Sequence, residues 1–127
     1  MKAKLTFILL CLLSSVSNLN AQNDWKSIKP FISKLIIELD LIKEDVIEDE
    51  SLYLEKAKAP SHYDIELIMM KVKSVVNQYS DVLIAMPWEK KDNFYACVIL
   101  VIDKHLILQY FPEKNILEMG VMKKEKS

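Results

Sequence analysis

Arginine is absent from this chain of 127 residues, and glycine, cysteine and proline are scarce. Without arginine the protein lacks the planar, two-point contact with phosphate and carboxylate groups that a guanidinium provides. All of its positive side-chain charge therefore comes from lysine and histidine, and the formal net charge is −1. Because nucleic-acid binding needs a basic footprint, we expect no nucleic-acid partner.

The cysteine count excludes a scaffold held together by disulfides. Cys11 lies in the N-terminal segment, and Cys97 is the only cysteine beyond it. A lone thiol cannot form an intramolecular disulfide. One glycine, four prolines and 51% hydrophobic residues leave little room for flexible linkers or intrinsic disorder. We therefore expect residues 22–127 to form a single packed domain.

Residues 1–21 have the three-part pattern of a secretory signal peptide. Lys2 and Lys4 precede an apolar run from Leu5 to Leu13, which is shorter than the roughly 20 residues that a spanning helix needs. Small and polar residues follow up to Ala21, the predicted cleavage position. We expect a periplasmic or secreted protein with no integral membrane anchor after cleavage. Loss of the two lysines would change the net charge from −1 to −3.

Two other interpretations of the N-terminus are weaker. Cys11 could carry a lipid, but Leu10 stands where a small residue is expected, and Cys11 comes before the apolar run ends. The segment could also remain uncleaved as an anchor, but its apolar run is too short to cross a bilayer.

Two amphipathic helices are predicted at the start of the mature domain. From Trp25 onwards, apolar residues recur at alternating spacings of three and four, which is typical of one helix face. This stripe predicts a first helix over about 28–55, with Ser27 as its N-cap and Pro30 in its first turn.

A second stripe of the same kind predicts a helix over about 61–79. Ser61 and Asp64 resemble a capping box at its start, with Asp in place of Glu. A short connection containing proline separates it from the first helix, which allows the two helices to pack antiparallel.

The rest of the chain is rich in β-branched, aliphatic and aromatic residues between short polar turns, which is typical of hairpins. It predicts a three- or four-stranded antiparallel meander, so the expected class is α+β with the helices first. The predicted strands cover about 82–87, 94–102, 105–111 and 116–122.

The two central strands of this meander are predicted to be apolar on both faces. With Asp103 and Lys104 as a two-residue turn, the odd-numbered residues 95–101 share a face with Leu106, Leu108 and Tyr110. The other face carries residues such as Val98, Ile107 and Phe111. A sheet with two apolar faces needs two covers, and a pair of helices covers one.

Cys97 and His105 are the only candidates for a nucleophile and its base, and the predicted pairing puts them on opposite faces. Two distant histidines and one thiol do not make a metal site. We expect no enzyme activity, no metal and no cofactor.

Acidic residues concentrate between positions 44 and 50. On a helix, Glu44 and Glu48 would lie one turn apart, as would Asp45 and Asp49, so their carboxylates could gather a hard cation such as calcium. The segment lacks the ligand spacing and turn glycine of a calcium loop. We expect a solvated acidic face, with Glu44, Glu48 and Asp49 steering a basic partner.

Three aromatic residues of the β-rich half are candidates for contact with a protein partner, with core packing as the alternative. They are Trp88, Tyr110 and Phe111. Together with the predicted export and the apolar surplus, they favour a small non-catalytic protein-binding module, of the inhibitor, immunity or accessory-subunit type. The alternative is a structural envelope protein that associates with itself.

Overall fold

Two helices and six strands make up residues 25–122, the part of the chain that the computed structural model describes. The predicted signal peptide lies outside the described residues. The elements are α1 (Lys29–Glu38), β1 (Ile42–Glu48), β2 (Leu52–Lys58), α2 (Ile65–Val76), β3 (Val82–Lys90), β4 (Tyr95–Val101), β5 (Lys104–Phe111) and β6 (Ile116–Met122).

All six strands belong to one antiparallel sheet in the order β1-β2-β6-β5-β4-β3. The hairpin β1–β2 comes first in the chain, and the meander β3 to β6 comes last. Pairing of β2 with β6 joins these two parts into one sheet. The segment containing α2 therefore carries the chain from β2 to β3, at the opposite edge.

The predicted fold, two amphipathic helices followed by a three- to four-stranded meander, is wrong. The described residues form mostly a six-stranded sheet with two short helices. The error lies in the first predicted helix, over 28–55, because this stretch contains α1, β1 and most of β2.

Helix α1 ends because Asp40 adopts a left-handed conformation, with φ of 54°. The backbone N–H of Leu41 donates to Ile36 O at 2.9 Å, and that of Asp40 donates to Ile37 O at 3.2 Å. This pair of hydrogen bonds is a Schellman motif, which usually has glycine at the left-handed position. Because aspartate rather than glycine stands at this position, the sequence did not predict that the helix ends here. The start was also predicted incorrectly, since Ile28 rather than Ser27 is the N-cap.

The turn between β1 and β2 is built by Asp49. Its Oδ1 accepts hydrogen bonds from the backbone N–H groups of Ser51 at 2.8 Å and Leu52 at 2.9 Å. Aspartate favours such turns because its short side chain bonds to the backbone two residues on. The sequence Asp-Glu-Ser at positions 49–51 is therefore typical of a turn. The helical spacing of the neighbouring apolar residues favoured a helix instead, and that prediction is wrong.

Helix α2 confirms a helix in the second predicted stretch, but it is shorter and is capped differently. Asp64 is the N-cap, and its Oδ1 accepts from Leu67 N at 3.0 Å. The predicted capping role of Ser61 is wrong, because the helix begins four residues later, at Ile65.

The predicted distribution of side chains between the faces of β4 and β5 is confirmed. Val101 pairs with Lys104, so Ile102 and Asp103 form the turn, one residue earlier than predicted. This moves each pairing by two residues, and an even shift leaves every side chain on its predicted face.

The main core lies between the helices and one face of the sheet. Both helices contribute buried residues to it, including Phe31, Ile32, Ile68 and Val72. The sheet contributes alternate residues of its central strands, such as Leu108 and Met119. We call this side of the sheet the helix face.

The opposite side, which we call the open face, has a separate apolar cluster of Leu52, Leu54, Ile107 and Met122 that includes no helix residue. Gly120 pairs with both Leu54 and Ile107. Because glycine has no Cβ, it leaves space above β6 in which the side chains of β2 and β5 approach each other.

Asn115 fastens the β5–β6 turn to the end of β2. Its Nδ2 donates to Ala59 O at 2.8 Å and to Pro60 O at 2.7 Å, and its Oδ1 accepts from Tyr110 Oη at 2.5 Å. The backbone N–H of Ala59 donates to Asn115 O at 2.9 Å. Asn115 has φ of 57°, a left-handed conformation that asparagine tolerates better than most residues.

Replacing Asn115 should therefore destabilise the fold in two separable ways. Asn115→Ala loses the side-chain hydrogen bonds and strains the backbone, so we expect about 3 kcal/mol lower unfolding free energy. Asn115→Gly loses the same bonds without the strain and should cost about 1 kcal/mol less than alanine. Urea denaturation measures both. Equal stability of the alanine variant and the unaltered protein would contradict this role.

Ile102 should be replaceable by glycine with a gain in stability. It has φ of 60° in the β4–β5 turn and is half exposed. A left-handed conformation costs a β-branched residue about 1–2 kcal/mol, so Ile102→Gly should raise the unfolding free energy by about 1 kcal/mol. The matched control is Ile37→Gly at an exposed position in α1, which should lower it by a similar amount. A loss of stability in both variants would refute the strain at Ile102.

Candidate functional site: the outer edge of β1

Strand β1 forms one edge of the sheet, and every residue in it is exposed. Three large apolar side chains are exposed there, Ile42 at 70%, Val46 at 41% and Ile47 at 43%. No described strand pairs with its outer side. Its backbone N–H and C=O groups are therefore open to another strand, apart from the Val46 N–H, which donates to Asp45 Oδ1 at 2.9 Å. We call this strand, with its outer backbone groups, the β1 edge. Edges of this kind can pair with an extended segment of another chain.

The acidic residues predicted to steer a partner lie on or beside this edge. Glu44 lies at a register irregularity between Lys43 and Asp45, and it has no ion-pair partner among the described residues. The Glu48 Oε2 atom forms an ion pair with Lys29 Nζ at 3.1 Å. Asp49 is in the turn after β1, bonded to the backbone.

The structure does not support the alternative of a cation site at these acidic residues. The predicted pairing of carboxylates four residues apart depends on a helix. In a strand, residues four apart are separated by about 13 Å, which is too far for both carboxylates to bind one ion. Within residues 25–122, no group of three or more His, Cys, Asp or Glu side chains is placed to hold a metal ion.

The opposite edge of the sheet, β3, is a poorer template for strand pairing. Pro87 lacks a backbone N–H, and the pairing of β3 with β4 has two register irregularities, between Ile84 and Met86 and between Met86 and Glu89. Proline and bulges are common devices that prevent pairing at a sheet edge.

A network of side chains attaches α1 to the β1–β2 hairpin. Lys29 Nζ, which also pairs with Glu48, lies 5.1 Å from the centroid of the Tyr53 ring. The Trp25 and Tyr53 rings have centroids 6.2 Å apart. Tyr53 Oη donates to the carboxylate of Glu55, which is buried and lies 3.7 Å from Lys43 Nζ. These contacts hold the hairpin against the helix while the outer side of β1 remains free.

The three aromatic residues predicted as partner contacts do not form one exposed patch. Trp88 is partly buried and packs against the main core, and Tyr110 is 1% exposed, with its hydroxyl bonded to Asn115. Phe111 is buried on the open face and stacks on Phe94 with centroids 5.1 Å apart. Their contact with a partner stays a prediction, and the exposed apolar residues of β1 were not among the predicted site residues.

Cys97 and His105 lie on opposite faces, as predicted. Cys97 pairs with Leu108 in the main core, whereas His105 pairs with Leu100 and is exposed. Burial raises the pKa of the Cys97 thiol to about 12, which suppresses the thiolate that a nucleophile needs. This pair cannot form a nucleophile and base in the structure.

No helix within residues 25–122 is long and apolar enough to cross a bilayer. Comparisons of the chain with protein-family models, with curated proteins and with solved structures found no match.

Alkaline pH should destabilise the fold through three buried groups. Burial raises the pKa of Cys97, Tyr53 and Tyr110, and the hydrogen bond to Glu55 raises that of Tyr53 further. Each group binds its proton more tightly in the folded state, so its stabilising contribution is complete below its unfolded pKa and disappears as the pH rises through the folded pKa. For Cys97 this window runs from about pH 9 to about pH 12.

We therefore expect the unfolding free energy to fall by at least about 1 kcal/mol between pH 8 and pH 10.5. Urea titrations at several pH values measure it. The control is Cys97→Ala, which should start lower in stability but decline less steeply. A flat profile in the unaltered protein would show that these groups titrate alike in the folded and unfolded states.

Proposed function

We propose that this chain is an exported, non-catalytic protein-binding module that captures a basic, extended segment of a partner protein along the β1 edge. The single observation that carries this proposal is the exposed β1 strand, with three exposed apolar side chains among acidic ones. Export is supported by the pattern of residues 1–21. An inhibitor, an immunity protein or an accessory subunit would each use such a surface.

The backbone of β1 supplies the means of binding. An added strand gains main-chain hydrogen bonds along the edge, and its alternate side chains contact the side chains of β1 on either face. Val46 lies opposite Glu55 on the helix face, and Ile47 lies opposite Leu54 on the open face. An incoming strand therefore meets an apolar contact on each side of the sheet.

The charge of β1 favours a basic partner over a second copy of this chain. Two β1 strands paired antiparallel would bring acidic residues such as Glu44 and Asp45 of both copies close together, and like charges facing each other across strands are destabilising. Lysine or arginine side chains on a partner strand would instead meet Glu44 and Asp45. The acidic residues thus oppose self-pairing at this edge and steer a basic segment toward it.

The alternative of self-association is favoured by a different observation, the apolar cluster on the open face, which neither helix covers. Leu52 and Leu54 are already buried in the single chain, so a dimer formed there would bury mainly Ile107 and Met122, and it would leave the β1 edge free. The two functions therefore use different surfaces.

Site-specific photocrosslinking in cells that make the protein distinguishes a protein partner at the β1 edge from self-association. A benzoylphenylalanine at Ile47 should yield one heavier product with a different protein, while the same residue at Met70, exposed on α2, should not. The reversals Glu44→Lys and Asp45→Lys together should reduce that product at least fivefold, because they repel a basic segment. The matched control, Glu66→Lys with Glu113→Lys, makes the same charge change at exposed sites away from β1.

A product that contains two copies of this chain would refute the proposed function and support self-association. Equal products from Ile47 and Met70, or no product from either, would also contradict it. Circular dichroism of each variant shows whether loss of the product reflects loss of folding.

A further inference from the structure

The hydrogen bonds of the β1–β2 hairpin fix which backbone groups of β1 face away from β2. Asp49 N–H donates to Leu52 O at 2.9 Å, and residues 45–48 continue the same register without interruption. In an antiparallel pair, bonded and non-bonded positions alternate along each strand. The N–H and C=O groups of Val46 and Glu48, an odd number of residues before Asp49, therefore point outward.

One of these outward groups is occupied by a side chain of the same strand. The Val46 N–H donates to Asp45 Oδ1 at 2.9 Å. An added strand needs this amide as a donor for one of its own carbonyl groups, so it must take the place of the carboxylate. The exchange deprives the carboxylate of a hydrogen bond, and it is favourable only where the carboxylate gains another partner.

The Asp45 carboxylate has no cation of its own within the sheet. Asp45 lies opposite Lys56 in the register, but Lys56 Nζ is paired with Glu118 of β6, on the other side of β2, at 3.8 Å. Asp45 itself forms no ion pair among residues 25–122. Its charge is therefore available to a cation on an incoming strand.

An antiparallel strand added to β1 would bring one particular residue to this carboxylate. Since its hydrogen bonds go to Val46 and Glu48, the positions opposite Asp45 and Ile47 are non-bonded ones, where facing side chains are closest. Asp45 and Ile47 share the open face, because Ile47 lies opposite Leu54. A basic residue opposite Asp45 would reach its carboxylate, two positions after the residue that contacts Ile47.

We propose that the β1 edge selects an antiparallel strand in which two consecutive apolar residues are followed directly by lysine or arginine, and that Asp45 determines this preference. The two apolar residues face Ile47 and then Val46, and the basic residue faces Asp45. In the free protein the carboxylate caps the Val46 amide, and in the complex it pairs with the basic side chain. A strand without that charge leaves the carboxylate uncompensated, so it binds more weakly.

This inference rests on the proposed capture of a strand at the β1 edge, and it adds the residue pattern of the partner. Three capped peptides test the pattern. The matching peptide is acetyl-Thr-Thr-Val-Val-Lys-Thr-Thr-amide, the second has glutamine in place of lysine, and the third has the reversed order Thr-Thr-Lys-Val-Val-Thr-Thr. Each is titrated at low salt into the ¹⁵N-labelled full chain and followed by NMR.

The matching peptide should shift the amide signals of β1 saturably and leave those of β3, at the opposite edge, in place. It should bind at least about threefold more tightly than either of the other two peptides, because cross-strand pairs of opposite charge are stabilising. Added salt should reduce the difference between the lysine and glutamine peptides.

Variants of Asp45 separate its two roles. Asp45→Asn keeps an oxygen that caps the amide but removes the charge, so the lysine and glutamine peptides should bind equally. Asp45→Ala removes the cap as well, so the glutamine peptide should bind this variant more tightly than it binds the unaltered protein. The matched control, Asp92→Asn in the exposed turn between β3 and β4, should retain the preference for lysine.

The outcomes distinguish failure of this inference from failure of the proposed function. Saturable shifts in β1 with equal affinity for the lysine and glutamine peptides would overturn the role of Asp45 and leave strand capture standing. Tighter binding of the reversed peptide would overturn the proposed residue order. Absence of saturable shifts in β1 with every peptide would contradict both proposals.

Discussion

Pairing of β2 with β6 is the constraint on which the rest of this structure depends. Residues 52–58 meet residues 116–122 in one continuous register, although 57 residues of chain separate the two strands. Without this pairing, the N-terminal hairpin would be an isolated two-stranded ribbon, which is marginally stable in water. The bonds from Asn115 to Ala59 and Pro60 fasten the same junction at one end. The position of β1 as a free edge follows from it, because β2 is paired on both sides.

The sequence could predict the features that depend on short-range pattern. The alternation of β4 and β5 placed each side chain on its correct face, with Cys97 and His105 on opposite faces. It could not predict that α1 stops at Glu38, since the left-handed residue there is Asp40 rather than glycine. Helical spacing of apolar residues continued through Ile42 and Val46, although both are exposed in a strand.

The wrongly predicted first helix also gave the acidic site residues the wrong surroundings. Glu44, Glu48 and Asp49 were identified as acidic partner residues, but they were placed on a helix, where Ile42, Val46 and Ile47 would have faced a core. In the sheet these apolar residues are exposed beside the acids, and this combination suggests a partner strand.

Backbone hydrogen exchange of the folded protein, read residue by residue across β1 and β2, tests the central claim that β1 is a strand with a free outer edge. The account predicts alternation in β1, with protected amides where N–H groups point to β2 and rapid exchange where they point outward. Amides throughout β2 should be protected, because that strand is paired on both sides. Uniform protection along residues 42–48, as in a helix or a strand paired on both sides, would contradict the account.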